Sequence, residues 1–570
     1  MKNSADVIVI GAGGGGAVVA KELCEKGLKV LLLEAGPWFG NIKWPRPNSK
    51  QGEVSSSDYE DLSINLLKES FTDLENDMND SIVGKFRWGP ANRNEGPWKR
   101  NIQNGGLIWQ TAGVGGSTLH YFGNSPRAYA SAIDDTWPIS YNELLPYYEK
   151  VEQTLPVMEA PATAKENLFF YGAKKANWNP LSDNNVTEPG YRLQPNAILR
   201  GSYPIDIPGY DRKRDGPYGC TLRGNCVNGC HIGPSIETVA KRATFVSYIP
   251  PALRTGNIEI RPNAFVIKVL TKQGEEGLHT VGVIYRDTWT GERIEIRADV
   301  VVMSGGAIET PRLWLNSELP KNPWVGKGLV NHWFDNVTGI YEEEALMNAI
   351  GKDNINPFVG QNAAARFDYP GLGVIETYGM SPGLYASLAY SISDKGFAAF
   401  NSTNPDAPWN FEGAIVGEQL KECMRNYTKT LSLVIFTDDE VVQSNEVTLD
   451  YENKDENGYI PKIRYKPSEN TGRKRDKLAV IAADILKKAG AKTIIRSNWP
   501  NNLFIHIQCT MRIGLVTDND CEAKQVARLF IADNSVLYNS LGGPNPTLTT
   551  QALATRTAEK IKNKYFSERV

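Results

Sequence analysis

The first apolar run of the chain, ADVIVIG, is short, continuous and rich in Val and Ile, which reads as a strand buried on both faces. A glycine run follows, then AVVAKELCEKG with apolar positions at helical spacing, then a second buried run, LKVLLLEAG. Strand, turn, helix and strand in that order predict one right-handed βαβ unit. From about residue 37 to 105 the pattern dissolves into Pro, Trp, Asn and Asp, a long excursion rather than a compact βα repeat. PISYNELLPYYEKVEQTL then has helical spacing. IEIRPNAFVIKVLTK, HTVGVIYRD and ERIEIRADVVVMSGG read as strands. Residues from about 331 to 500 mix aromatic-rich strands and turns with one strong helix, RKRDKLAVIAADILKKAG. The chain closes on a buried strand, RLFIADNSV, a Gly/Pro loop and a helix, PTLTTQALATRTAEKIKNKY. There is no internal repeat and no low-complexity tail.

At 570 residues the chain is too long for one ordinary core, so two or more domains are expected. The pattern suggests a nucleotide-binding domain made from both ends and the middle, with another domain inserted between its pieces. Composition is that of a globular protein, 41% hydrophobic and 22% charged. A net charge of -3 and a pI near 6.1 give no electrostatic case for nucleic acid or an anionic membrane. No apolar run is long enough to span a bilayer, and the first strand starts too close to Met1 for a cleavable leader. Seven cysteines in a long chain do not suggest a secreted disulfide framework. A cytoplasmic protein is expected, with export as the folded passenger of a signal-bearing partner as the alternative.

Gly11, Gly13 and Gly16 form G-x-G-x-x-G between the first strand and helix, and Glu34 ends the second strand. Such glycines permit a tight turn and close approach of a pyrophosphate, whose charge meets the helix N-terminus. An acid at this distance can accept hydrogen bonds from ribose hydroxyls. A dinucleotide cofactor is expected.

Several further segments resemble the glucose–methanol–choline family of flavoprotein oxidoreductases. VVMSGGAIETPRLWLNS resembles its second signature, and GGLIWQTAGVGGSTLHYFG its glycine-rich segment beside the flavin. VGKGLVNHWFDN resembles a motif usually closer to G-x-N-L-x-D-H. HIQCTMRIG and LFIADNSVLYNSLGGPNPTLTTQALATR resemble its C-terminal catalytic block. The matches run from end to end in family order, nearest to the bacterial gluconate and glucose dehydrogenase large-subunit branch. The implied fold class is α/β (α+β overall). An FAD-binding Rossmann-like domain of residues 1–130, 216–330 and 501–570 would accompany a substrate-binding domain of 131–215 and 331–500 with an antiparallel sheet.

Within this resemblance His506 and Asn545 match the catalytic pair. Oxidising an alcohol needs hydride loss from carbon and proton loss from oxygen. A neutral imidazole suits the proton near neutral pH, and a neighbouring amide can hold the same oxygen in place. Asn545 precedes Pro546, also a good helix start, and a helix beginning there would point its positive end at the flavin. The family usually has Gly-Thr after the catalytic histidine, whereas this chain has Cys509-Thr510. The resemblance also places Gly115, Gly116, His120, Val266 and Asp533 at the cofactor. Asp533 equally reads as a turn residue after a strand. The histidine at the place of His120 carries the flavin covalently in some family members and only packs beside it in others.

Cys220, Cys226 and Cys230 lie in one Gly/Asn-rich loop with spacing C-x5-C-x3-C. A disulfide would leave one thiol over. Zinc wants four ligands, and His231 could complete the set only awkwardly. Three thiolates suit a cluster with three irons, one ligand each. The loop resembles a segment holding a 3Fe-4S cluster in bacterial FAD-dependent glucose dehydrogenases, but similar loops elsewhere in the family hold none and simply pack. The combined expectation is an FAD-dependent dehydrogenase acting on a CH–OH group of a sugar, sugar acid or glycoside. Its electrons would pass through the cluster to a cytochrome or other acceptor, with a small partner subunit. A stand-alone oxidase using oxygen and a non-catalytic flavin-binding subunit are the alternatives.

Overall fold

The structure, a computed structural model, describes residues 4–38, 54–55, 88–92, 95–201, 219–224, 226, 240–275, 277–379, 382–386, 389–390, 397–400 and 408–568. The chain opens as β1 (Ser4–Ile10), α1 (Gly16–Glu25) and β2 (Val30–Leu33), the expected βαβ unit, with β1 and β2 parallel. Every residue of β2 is buried, and so are Val7, Ile8 and Val9 of β1, because helices cover both faces of a parallel sheet. β1 pairs on its other side with Arg293–Met303, in parallel, and that strand pairs in parallel with Leu529–Ile531. Ile258–Arg261 extends the parallel set beyond β2. Gly277–Asp287 and Ala264–Gly274 add antiparallel strands beyond Arg293–Met303, and Val54–Ser55 adds one beyond Ile258–Arg261.

The run IEIRPNAFVIKVLTK is therefore two strands at different places in one sheet. Pro262 cannot donate to a ladder, and Asn263 takes a left-handed φ of 56°, so the chain turns between them.

The second sheet is antiparallel and has eight strands. At its centre Thr430–Thr437 lies between Phe334–Ile340 and Gly373–Tyr378. The period of two along each strand gives this sheet two different faces. Val337, Ile375, Leu431, Leu433 and Ile435 pack on the helices Ala164–Lys175 and Glu469–Lys488. The alternate positions Phe334, Val374, Tyr378, Val434 and Phe436 form a separate aromatic cluster on the opposite face. That face is turned toward the first sheet and becomes the floor of the site.

Helix Tyr141–Thr154 falls in the 131–215 stretch expected with the second sheet. It packs on the C-terminal helix Thr547–Tyr565, with Tyr141, Leu144, Tyr148 and Val151 in the core of the first sheet and Lys150 paired with Glu22 of α1. No helix among the described residues is long and apolar enough to cross a membrane.

Candidate active site

Five parallel strands end on the same side of the first sheet, and their ends open a crevice, the usual ligand position in such sheets. A cavity of about 310 Å³ lies there, lined by Gly11, Gly13, Glu34, Gly116, His120, Val266, Asp533, Asn545, Pro546 and His506 among others. All these expected site residues are brought together. Gly16 and Gly115 support the turns from outside the cavity wall. Cys230 and His231 lie outside the described residues.

The cradle is built from close backbone approaches. Gly11 has a φ of +97°, and a Cβ there would sit 2.3 Å from the Ser304 carbonyl oxygen. Gly116, with a φ of +51°, brings its backbone against Gly13, where an added Cβ would lie 2.7 Å from the Gly13 Cα. Only glycine permits both the handedness and the contact. These open walls, together with the helix N-terminus at Asn545–Thr547 lining the same cavity, fit a bound dinucleotide.

Glu34, expected at a ribose, holds the cradle's own backbone. Its Oε1 accepts from the backbone N–H of Gly36 and of Gly113, both at 2.9 Å, and its Oε2 from Ala12 N–H at 2.9 Å. Three loops are thereby tied to one carboxylate, leaving roughly one lone pair for a ligand. Burial pushes its carboxyl up to about 7, against the pull of those three donors. Asp533 is similar. Its Oδ2 accepts from Gly306 N–H and the Thr310 hydroxyl, and its Oδ1 from Ser535 N–H, so it is a turn residue that also lines the cavity.

His120 places its Nδ1 2.8 Å from the Thr111 hydroxyl. Burial, reinforced by the Lys241 charge, pushes its imidazole down to about 3, so the ring is neutral.

At the opposite end His506 is packed against Phe334 and Phe436, with ring centroids 5.2 and 5.1 Å away. Burial and the neighbouring His332 hold its imidazole well below the usual range. His332, within VGKGLVNHWFDN, is a neighbour of His506 that the sequence did not single out. It is buried, and its Nδ1 lies 3.2 Å from His506 Nδ1. Its Nε2 lies 2.8 Å from the Ser540 carbonyl oxygen, which can only accept, so Nε2 carries the proton. The Gln508 amide nitrogen sits 2.8 Å from the same Nε2 while Gln508 Oε1 is buried without a partner. Turning that amide over sets an acceptor, in place of a second donor, against the Nε2–H. His332 Nδ1 is then a lone pair, which accepts from His506 Nδ1–H. His506 is left with its Nε2 lone pair free, the form a base requires.

Asn545, in the wall of the same cavity as His506, is buried, and its Oδ1 has no hydrogen-bond partner among the described residues.

Two family models match the chain, each described as GMC oxidoreductase, over residues 192–334 and 442–554. The chain belongs to the GMC oxidoreductases. It is an FAD-dependent oxidoreductase acting on CH–OH donors of the alcohol and sugar type. It is 27% identical to 2-methyl-1,2-propanediol dehydrogenase of Mycolicibacterium austroafricanum, over 98% of this chain and 95% of that protein. It is 25% identical to the fructose dehydrogenase large subunit of Gluconobacter japonicus, over 98% of each. A gluconate 2-dehydrogenase flavoprotein of Pantoea cypripedii matches at 26% over 63% of this chain and 60% of its own length. In fold it is similar to formate oxidase of Aspergillus oryzae RIB40, with a TM-score of 0.62 at 13% identity over 100% of this chain and 99% of that one.

Two thiols of the cysteine loop are described. Cys220 and Cys226 are free and close together in one small apolar cluster with Ile198 and Ala240. Burial raises both thiols, that of Cys226 to about 11. The buried ammonium of Lys241 donates to the carbonyls of Cys226, Leu119 and Tyr121 at 2.5, 2.8 and 3.0 Å. It thus ties this loop to the segment that carries His120.

Proposed function

We propose that this GMC oxidoreductase oxidises an alcohol carbon of a sugar or related polyol, with His506 as the base and Asn545 orienting the reacting oxygen. The observation that carries this reading is the hydrogen-bond chain Ser540–His332–His506, which leaves the proton-accepting nitrogen of His506 free. Bound FAD supplies the hydride acceptor. The substrate hydroxyl gives its proton to His506 Nε2 as the carbon loses hydride, so the C–H and O–H bonds break and a carbonyl forms. The Asn545 side-chain amide N–H donates to the same oxygen and holds it near the base, fixing the C–H bond toward the cofactor. The aromatic floor of Phe334, Tyr378, Val434 and Phe436 excludes water and keeps the imidazole neutral.

The test is anaerobic mixing of the purified holoenzyme with candidate sugars and polyols, following loss of flavin absorbance. His506→Ala should retain FAD and slow that loss by roughly 10²–10⁴-fold, the usual worth of a general base. An unchanged rate in that variant would remove His506 from the chemistry.

We further infer that the electrons leave through the cysteine loop to a protein acceptor. The support is the Lys241 bridge between Cys226 and the His120 segment, together with the paired free thiols of Cys220 and Cys226. Cys230 would provide the third ligand of a 3Fe-4S cluster.

A further inference from the structure

The wall of the cavity also carries polar atoms that proton and hydride removal do not use. Asn124 is only 4% exposed and lines the cavity. Its Nδ2 donates to Glu376 Oε2 at 2.7 Å, while its Oδ1 is buried with no hydrogen-bond partner. The amide is held in that orientation. Glu376 is wholly buried, and its other oxygen faces Gln194 Nε2 at 3.3 Å and the Arg366 guanidinium at 3.4 Å. Turning the Asn124 amide over would set oxygen against the carboxylate. Burial pushes Glu376 up to about 7, so the carboxylate form prevails above that pH.

An unpaired donor lines the same cavity: Trp109 Nε1–H is buried without a partner among the described residues. Its backbone N–H donates to the Phe504 carbonyl at 2.8 Å, two residues before His506. Trp109 packs in one cluster with Phe334, Tyr378, Val434 and Phe436. Val434 is also the cross-strand partner of Glu376, which places Asn124 at the same aromatic surface.

We propose that Asn124 Oδ1 and Trp109 Nε1–H form a subsite for a second hydroxyl of the substrate, so that the enzyme selects polyhydroxylated over simple alcohols. This rests on the proposed oxidation at His506. A hydroxyl donates and accepts at once, and so satisfies both atoms. A carboxylate has no proton for Asn124, an ammonium has no lone pair for Trp109, and an alkyl group leaves both buried atoms unpaired. Sites built to bond a hydroxyl reject analogues lacking it far more strongly than apolar pockets reject an added one.

The experiment compares kcat/KM of the holoenzyme for 1,2-propanediol and 1-propanol at pH 8, in the wild type, in Asn124→Leu and in Trp109→Phe. FAD content is measured in each. The wild type should favour the diol, and each variant should lower the diol-to-alcohol ratio by about tenfold or more. Trp109→Phe keeps the ring packing, so the proposal stays testable if Asn124→Leu folds poorly. Loss of both activities in equal proportion, an unchanged ratio, or loss of FAD in place of a ratio change would overturn the subsite. If neither alcohol reduces the wild-type flavin, nor does any sugar or polyol, the oxidation itself falls and the subsite with it.

Discussion

The Nδ1 atoms of His332 and His506 lie 3.2 Å apart, and a carbonyl 2.8 Å behind His332 decides which of them carries the proton. With His506 as the proposed base, His332 would act through it as a positioning residue. His332→Leu removes the acceptor and lets His506 adopt either tautomer, so kcat should fall by roughly tenfold to 10²-fold, with little change in KM. His332→Gln retains an acceptor and should recover part of that loss. Equal damage from both variants, in KM as much as in kcat, would make His332 a packing residue only.

The same pair sets the acid side of the pH profile. Burial, then the neighbouring His332, holds His506 well below the ordinary imidazole value. The lowered value favours the neutral ring, so the base persists to lower pH than a free histidine allows. Activity should be lost only as pH falls through this depressed value, below about 6.5. The measurement is kcat/KM against pH, which reports the free enzyme. An acid limb at or above the ordinary imidazole value would contradict the burial argument.

Glu34 offers a separation between holding the loops and holding the cofactor. In Glu34→Gln one oxygen becomes an amide that must face the N–H of Ala12 or those of Gly36 and Gly113. A donor set against a buried donor costs about 1–3 kcal/mol. Thermal unfolding of the apoprotein should therefore register the change before any FAD is added. A variant whose apoprotein is as stable as wild type, and which only binds FAD more weakly, would return Glu34 to a purely ligand-facing role.

What the sequence disclosed follows the range of the interactions concerned. The glycines after β1 and the acid after β2 are local consequences of a turn between buried strands, so they were legible. His506 and Asn545 were legible through resemblance to a motif. His332 was quoted within a motif and still passed over, because its role depends on Ser540, 208 positions away, and on His506, 174 away. Asn124 was invisible for the same reason, since its partner Glu376 lies 252 positions on. The run around Pro262 read only as strand-rich, because β-propensity continues across the turn. Pro262 and the left-handed Asn263 together make the break. That Glu34 also holds the backbone of Gly113 was not legible, because nothing in the sequence tells that Gly113 returns to this carboxylate.

The cysteine loop makes the last prediction. Cys226 is buried, and its sulfur accepts weakly from Asn362 N–H at 3.4 Å, with Cys220 close by. Burial favours neutral thiols there, whereas iron ligation demands thiolates, so ligation would have to overcome the raised value of about 11 at Cys226. The nearby Lys241 and Lys165 charges favour the thiolate and lower that barrier. Protein purified without oxygen is expected to contain about three iron atoms per chain, one per thiolate, with acid-labile sulfide. Cys226→Ser should lose the iron while FAD is retained and reduced by substrate, and reoxidation by a protein acceptor should slow. Full FAD with no iron in the anaerobic preparation would leave the thiols as packing, and the flavin would then have to be reoxidised directly.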